Sequence, residues 1–200
     1  SIAMDLDGST GFKYIRDIRS LDDFNGVWNL RINDLGDEFM ISSSQMGPFP
    51  EGLQVGLVNI NERKVLLNFL DHKEMIPNNK NSVYDLKVIA GDQEYVKSMS
   101  QEILSSIPEE FSLGQNYPNP FNPITQMEYS LPQSSKVVIS IYNVLGQEIK
   151  TLINKEQDYG YHSVSWDGTD RLGKSVASGV YFTQMRSDGF SQSKKMLLLK

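Results

Sequence analysis

Apolar residues alternate with polar ones along most of this 200-residue chain, and this period of two constrains the fold more than any other feature. Trp28, Leu30 and Ile32 alternate with Asn29 and Arg31. The same pattern recurs at residues 53–57, 65–69, 84–88, 127–131, 137–141 and 162–166. Short alternating segments separated by Gly, Pro and Asn turns are typical of antiparallel sandwiches in which one face of each sheet is buried. The sequence therefore predicts an all-β protein.

A run of prolines and asparagines divides the chain. It reads Asn116, Tyr117, Pro118, Asn119, Pro120, Phe121, Asn122 and Pro123. Each proline fixes its own φ and pushes the residue before it toward extended geometry, so no helix can pass through the run. Asparagine before proline adds turn-forming hydrogen bonds. We expect a stiff, extended segment that leads into a folded module.

The apolar spacing changes between residues 94 and 112. Val96, Met99 and Ile103 are three or four positions apart, which predicts a short helical turn or an irregular linker. We therefore expect residues 1–93 to form one β-sandwich and residues 94–112 to form a linker with room for a short helical turn. Residues 113–200 are expected to form a second, small sandwich.

Side chains that carry chemistry are sparse. The chain has no cysteine, which excludes disulfides and Cys-ligated zinc, and its only histidines are His72 and His162. His162 alternates with Val164 and Trp166, which favours a packed or edge histidine over a catalytic base. A Ser-His-Asp arrangement or a transition-metal site has little support. We expect no enzymatic activity, cofactor or metal site, and we interpret Asp167 and Asp170 as turn residues in preference to calcium ligands.

The charge is divided unevenly along the chain. Residues 1–110 carry ten Lys and Arg against eighteen Asp and Glu, and residues 111–200 carry nine against seven, for a net charge of −6. No basic stripe could follow a phosphate backbone, so no nucleic-acid partner is expected. No window approaches the roughly 20 apolar residues of a membrane span. The first residues have neither a basic start nor an apolar core, so no signal peptide is expected within them.

Further motifs follow the run in order. They comprise Gly146, Trp166, Asp167, Gly168, Gly179, Tyr181 and the tail Lys195, Met196, Leu197, Leu198, Leu199, Lys200. Together with the run, these motifs make residues 113–200 similar to the type A C-terminal sorting domain of substrates of the type IX secretion system. The middle of this module also resembles the Ig-like domain of the flagellar hook-capping protein. Residues 1–93 resemble Ig-like sandwich domains through residues 28–32 and 84–88. The resemblances imply two Ig-like antiparallel β-sandwich domains in tandem, joined by a short linker.

The sorting-domain resemblance implies a route and a set of partners. Members are exported to the periplasm, and the folded domain is then recognised by the outer-membrane type IX translocon. A sortase commonly removes the domain ahead of the run, and the passenger is attached to surface lipopolysaccharide or released. Translocation in the family depends on the segment that corresponds to residues 196–200. The chain is thus expected to be the C-terminal fragment of a larger exported protein, secreted or held at the cell surface.

The tail has two interpretations from its residues alone. A short apolar strand flanked by lysines can pair with an exposed sheet edge on a receptor, or Leu197 to Leu199 can simply complete the sandwich. Deleting residues 196–200 is expected to abolish export while leaving the fold largely intact.

The N-terminal domain is expected to be a structural spacer. The alternative is a glycan-binding or adhesion accessory module of a secreted hydrolase, with binding in residues 1–100. Trp28 and Trp166 alternate with strand residues and are predicted to lie in the core, so they are poor candidates for an exposed binding platform. Tyr159 and Tyr161, on either side of Gly160, are only a weak signal of such a platform.

Overall fold

The computed structural model describes residues 25–32, 51–69 and 84–199, together with the backbone of strands Ile2–Asp7, Lys13–Asp17, Glu38–Gln45 and Lys73–Pro77. The chain divides into two compact units, Ser1–Ser106 and Ile107–Lys200. Every pair of neighbouring strands in the described sheets is antiparallel. This confirms the predicted all-β class.

The first unit contains two four-stranded sheets. Its described elements are β1 (Ile2–Asp7), β2 (Lys13–Asp17), β3 (Gly26–Ile32), β4 (Glu38–Gln45), β5 (Gln54–Asn59), β6 (Lys64–Leu66), β7 (Lys73–Pro77), β8 (Tyr84–Gly91) and α1 (Gln93–Ser106). The strand orders are β2-β1-β4-β7 and β3-β8-β5-β6. The alternating residues Leu30, Leu57, Leu86 and Val88 form the core of the second sheet.

Helix α1 is longer than the helical turn predicted for this segment. It spans 14 residues, and Asp92 caps its start by accepting a 2.8 Å hydrogen bond from the Tyr95 N–H. Its buried face includes Val96, and a Cβ on Gly56 of β5 would lie 2.8 Å from Val96 Cγ1. The helix therefore packs directly on the backbone of β5.

This packing buries the second face of the sheet. Val58, Ile60 and Ile89 lie on the face opposite the alternating core residues, and all three are fully buried. The period of two predicted burial of one face only, because the pattern carries no information about a helix covering the other.

The second unit is a two-sheet sandwich. Its strands are β9 (Ser112–Leu113), β10 (Thr125–Leu131), β11 (Ser135–Asn143), β12 (Glu148–Gln157), β13 (Gly160–Trp166), β14 (Gly179–Ser187) and β15 (Phe190–Leu198). The sheets have the orders β13-β10-β9 and β12-β11-β14-β15. Alternate residues of both sheets meet in one core, which includes Met127, Tyr129, Ile139, Met185 and Leu198. The predicted alternation at residues 127–131 and 137–141 is therefore confirmed.

Candidate functional site

The proline-asparagine run crosses from one sheet of the second unit to the other. Tyr117 and Gln126 of β10 exchange backbone hydrogen bonds of 2.8 and 3.0 Å. Four residues later, the Phe121 N–H donates to the Leu197 carbonyl of β15 at 3.0 Å, and the Leu199 N–H donates to the Phe121 carbonyl at 2.9 Å. The run thus extends both sheets at their edges. It is a corner that closes one side of the sandwich, which corrects the expectation of an extended lead-in.

Asn116 holds the corner from inside. Its side chain is 2% exposed, and its Nδ2 donates to the Pro118 carbonyl and to Thr125 Oγ1, both at 2.9 Å. Its Oδ1 accepts a 2.7 Å hydrogen bond from Gln115 Nε2. The Thr125 hydroxyl donates to the same Pro118 carbonyl at 2.8 Å. All polar atoms of this buried amide are therefore satisfied.

Asn119 continues the pairing along the outer edge of β15. Its Oδ1 accepts a 3.0 Å hydrogen bond from the Leu197 N–H, and its Nδ2 donates to the Lys195 carbonyl at 3.4 Å. Gln115 Nε2 donates to the same Lys195 carbonyl at 2.8 Å. A side-chain amide carries an acceptor oxygen and a donor nitrogen, as a peptide group does, so Asn119 substitutes for a strand residue. We call the contact of residues 115–123 with residues 195–199 the edge seam.

The edge seam occupies the strand edge that a receptor would need. Backbone groups of Lys195, Leu197 and Leu199 are bonded to the run on one side, and β14 pairs with the other side of β15. Strand addition to a receptor therefore requires the run to leave first. The other interpretation of the tail fits the structure, because Met196 and Leu198 are fully buried. That burial argues against the expectation that deleting residues 196–200 leaves the fold intact.

Aromatic residues from separate motifs meet beside the edge seam. Trp166 is 1% exposed, as predicted, and its ring centroid lies 5.6 Å from that of Phe121 and 5.1 Å from that of Tyr181. The indole N–H donates to the Thr169 carbonyl at 2.9 Å, and the Tyr181 hydroxyl donates to the Ala177 carbonyl at 2.8 Å. These contacts explain why the motifs contain aromatic residues at these positions.

Gly168 fits where a larger residue would not. Its φ is +69°, in the left-handed region, and a Cβ there would lie 3.2 Å from the Pro123 carbonyl oxygen and 3.5 Å from Leu198 Cδ2. Gly146 and Gly179 also have positive φ, of +75° and +154°. Gly146 ends a turn in which Asn143 Oδ1 accepts hydrogen bonds from the Leu145 and Gln147 N–H groups.

Asp167 and Asp170 shape the loop after Trp166. Asp167 Oδ1 accepts hydrogen bonds from the Thr169 hydroxyl at 2.6 Å and from Lys150 Nζ at 3.2 Å. The Thr169 hydroxyl, with help from Lys150, lowers the pKa of Asp167 against the opposing effect of partial burial. Asp170 Oδ1 accepts from the backbone N–H groups of Leu172 and Lys174, both at 2.9 Å. Both carboxylates are engaged in turn contacts.

The predicted site residues thus divide by burial. The buried ones are Asn116, Phe121, Trp166, Gly168, Tyr181, Met196 and Leu198. Gly179 and Leu197 are half-buried. The exposed ones are Tyr117, Pro118, Asn119, Pro120, Asn122, Pro123, Gly146, Asp167, Lys195 and Leu199. Lys200 lies outside the described residues, as does His72. The sequence analysis did not select Gln115 and Thr125 as site residues. Both are polar residues close to the run, and that position was the only sign that they contact it.

The described parts of the chain give little support to other kinds of site. No helix there is long and apolar enough to cross a membrane. No group of three His, Cys, Asp or Glu side chains among them could hold a metal ion. In the described part of the first unit, Trp28 packs against the core, and Leu67, which is 50% exposed, is the only exposed large apolar side chain.

Comparison with known proteins supports the Ig-like fold of the second unit. The family model for the FlgD Ig-like domain matches residues 124–189. No curated protein matches the chain. Among solved structures, FlgD from P. aeruginosa is 27% identical over 38% of this chain and 59% of its own, with a TM-score of 0.30.

Two further solved structures come from Porphyromonas gingivalis. PorZ, a surface component of the type IX secretion system, is 13% identical over 85% of this chain and 22% of its own, with a TM-score of 0.33. Dimeric latent PorU is 15% identical over 81% of this chain and 18% of its own, with a TM-score of 0.38. The chain spans less than two thirds of the length of each of these three proteins.

Proposed function

We propose that the second unit is a sorting signal for the type IX secretion system and that the first unit is a structural spacer. The partners would be the outer-membrane translocon and a sortase, with lipopolysaccharide attachment after processing. The passenger would lie elsewhere in a larger exported protein, and neither unit would be an enzyme. The motif resemblance of residues 113–200 supports this proposal.

One structural observation supports it further. The two ends of the motif set, the run with the adjoining Gln115 and the tail, are joined by five hydrogen bonds in the edge seam. The seam leaves Asn119, Lys195 and Leu199 on the surface. Because the buried motif residues are needed for folding, a receptor can read only such exposed ones. The signal would therefore be a folded surface made of both segments, and a free tail peptide would not reproduce it.

A reporter fusion tests the proposal. The reporter carries a periplasmic export signal and is followed by the full 200-residue chain, in cells with a working type IX translocon and in cells without one. We expect the reporter at the cell surface or in the medium only in the first strain. A reporter left in the periplasm of both strains contradicts the proposal.

Surface variants separate recognition from folding. Leu199→Asp introduces a negative charge on the edge seam, at a side chain that is 48% exposed. Leu172→Asp introduces the same charge at a loop side chain that is 84% exposed. Export is expected to fall at least tenfold with Leu199→Asp and to be unchanged with Leu172→Asp. Equal export by the two variants would show that the seam surface is not read.

A further inference from the structure

The outer face of the three-stranded sheet in the second unit carries an open groove. It has a volume of about 490 Å³ and is lined by residues of β9, β10 and β13. Polar and apolar surface both line it: Gln126, Glu128, Ser163, Ser112 and Ser130 lie along it, together with Tyr129 and His162. Gly114 lines it without a side chain. None of these groups belongs to the edge seam.

Two exposed tyrosines flank the groove at opposite corners. Tyr161 lines it and is 75% exposed, and Tyr117 is 83% exposed. Tyr117 pairs with Gln126 and Tyr161 pairs with Ser130, so both tyrosines project from the outer face, as residues directly opposed in an antiparallel pair share a face. They are four residues apart along β10 and lie on its two sides, which puts their Cα atoms roughly 17 Å apart.

The polar groups between the tyrosines are free to bind a ligand. The side chains of Gln126, Glu128 and Ser163 have no hydrogen-bond or ion-pair partner among the described residues. An amide, a carboxylate and a hydroxyl together both donate and accept hydrogen bonds, as the hydroxyl groups of a sugar do. The tyrosine rings offer apolar faces with a polar tip, which suits the apolar face of a pyranose ring.

The charge of the groove selects among ligands. Glu128 is the one carboxylate among the described lining residues, and no lysine or arginine lines the groove. An anionic ligand would meet this carboxylate with no lysine or arginine beside it. We infer that this groove binds a neutral, unbranched oligosaccharide that stacks on Tyr117 and Tyr161 and donates hydroxyl hydrogen bonds to Glu128. The inference does not depend on the sorting function.

Titration calorimetry on the full chain tests the inference. The probes are cellohexaose, mannohexaose and xylohexaose, with hexagalacturonate as the anionic counterpart and a lysine-rich hexapeptide as the cationic one. At least one neutral hexasaccharide is expected to bind at millimolar concentration or below, and hexagalacturonate is not. Binding of none of the three neutral probes, or of the lysine-rich peptide alone, overturns the inference.

Three variants locate the binding. Tyr117→Ala and Tyr161→Ala are each expected to weaken the Kd of the bound hexasaccharide about tenfold, because each removes one stacking face. Glu128→Gln is expected to weaken it about threefold, because a neutral acceptor replaces a charged one. Tyr142→Ala, on the other sheet, is the control and leaves the Kd unchanged. All four replaced side chains lie outside the core, so the midpoint of thermal unfolding confirms that each variant is folded. A Kd that is unchanged in both groove tyrosine variants rejects the site.

Discussion

Asn119 lies between two prolines and Asn116 lies two residues before the first of them, and proline nitrogens carry no hydrogen. A proline corner loses backbone donors, and the neighbouring strand edge is then left without partners. The two asparagine amides supply these groups: Asn116 donates to the Pro118 carbonyl, and Asn119 both accepts from and donates to β15. The missing proline donors therefore explain why asparagine occurs at positions 116 and 119. Asn122, which is exposed, has no such role in the described structure.

Replacement of Asn116 tests this role. Asn116→Ala should lower the free energy of unfolding of the second unit by about 2 kcal/mol, because two hydrogen bonds from a buried amide are lost. Urea unfolding followed by Trp166 fluorescence, in a Trp28→Phe background, measures the change. Asn122→Ala is the matched control and should stay within about 0.5 kcal/mol of the parent. Equal losses in the two variants would contradict the assignment.

Gly168 and Gly173 form a second matched pair. Both have positive φ, of +69° and +75°, but only Gly168 has neighbours within 4 Å of an added Cβ. Gly173→Ala should cost about 1 kcal/mol for the left-handed backbone alone. Gly168→Ala should cost at least about 1 kcal/mol more, because its Cβ also meets the Pro123 carbonyl. Urea midpoints of the two variants measure the difference, and identical midpoints would exclude the contact as a constraint.

Asp167 makes the stability of the second unit depend on pH. The Thr169 hydroxyl lowers the pKa of Asp167 in the folded chain below its ordinary value of 3.8. The stabilisation is therefore complete above that value and is lost as the pH falls through the lowered pKa. The side chain is 55% exposed, so the effect stays below about 1 kcal/mol.

The variant Asp167→Asn should reveal this dependence. It should be less stable than the parent at neutral pH, and the difference should shrink as the pH approaches about 2, because the parent carboxyl is then protonated. Urea midpoints over this pH range measure it. If the difference in stability between Asp167→Asn and the parent does not vary with pH, it comes from the shape of the side chain and not from its charge.

At the level of single elements, the strands could be predicted and the helix only in part. Alternation places residues 28–32, 84–88, 127–131 and 137–141 in strands, because burial of one face imposes a period of two. The spacing of Val96 and Ile103 gave only a hint of α1, because a helix that covers one sheet needs few apolar residues. Its close approach to β5 depends on Gly56, and a lone glycine in a strand does not reveal what approaches it.

The contact between α1 and β5 can be tested with a double-mutant cycle. Gly56→Ala should destabilise the first unit by about 1–3 kcal/mol, because the added Cβ would lie 2.8 Å from Val96 Cγ1. Val96→Ala makes room, so the double variant should lose less free energy than the two single variants together. Urea unfolding followed by ellipticity at the helix wavelength reports on α1, the one helix in the described residues. Strict additivity would contradict the direct contact.

At the scale of the whole chain, the hydrophobic cores of the two units share no residue among those that the structure describes. A change confined to one core should therefore leave the other unit's transition in place. In the Trp28→Phe background, Asn116→Ala should shift the urea transition of Trp166 fluorescence and leave that of α1 ellipticity unchanged. Transitions that move together would mean that the units unfold as one.

The site could be predicted as a set of residues but not as a surface. Motif order marked both the run and the tail, yet nothing local to either segment indicates that they touch. Their contacts join residues 76 to 80 positions apart, such as Asn119 with Lys195 and Gln115 with Lys195. Sequence periodicity reports which face of a strand is buried, and it carries no information on which distant edge lies beside it.

The edge seam also sets a condition on synthesis. The seam cannot form until its second half has been translated. The hydrogen-bond partners of Gln115, Asn119 and Phe121 are Lys195, Leu197 and Leu199, which follow almost eighty residues later. Contacts so distant in sequence form late, after the loop between them has been closed. A chain that stops anywhere before residue 195, through a nonsense codon or proteolysis, cannot build the seam. The seam surface is therefore present only in chains that extend at least to residue 199, and a receptor that reads it would not bind products truncated before residue 195.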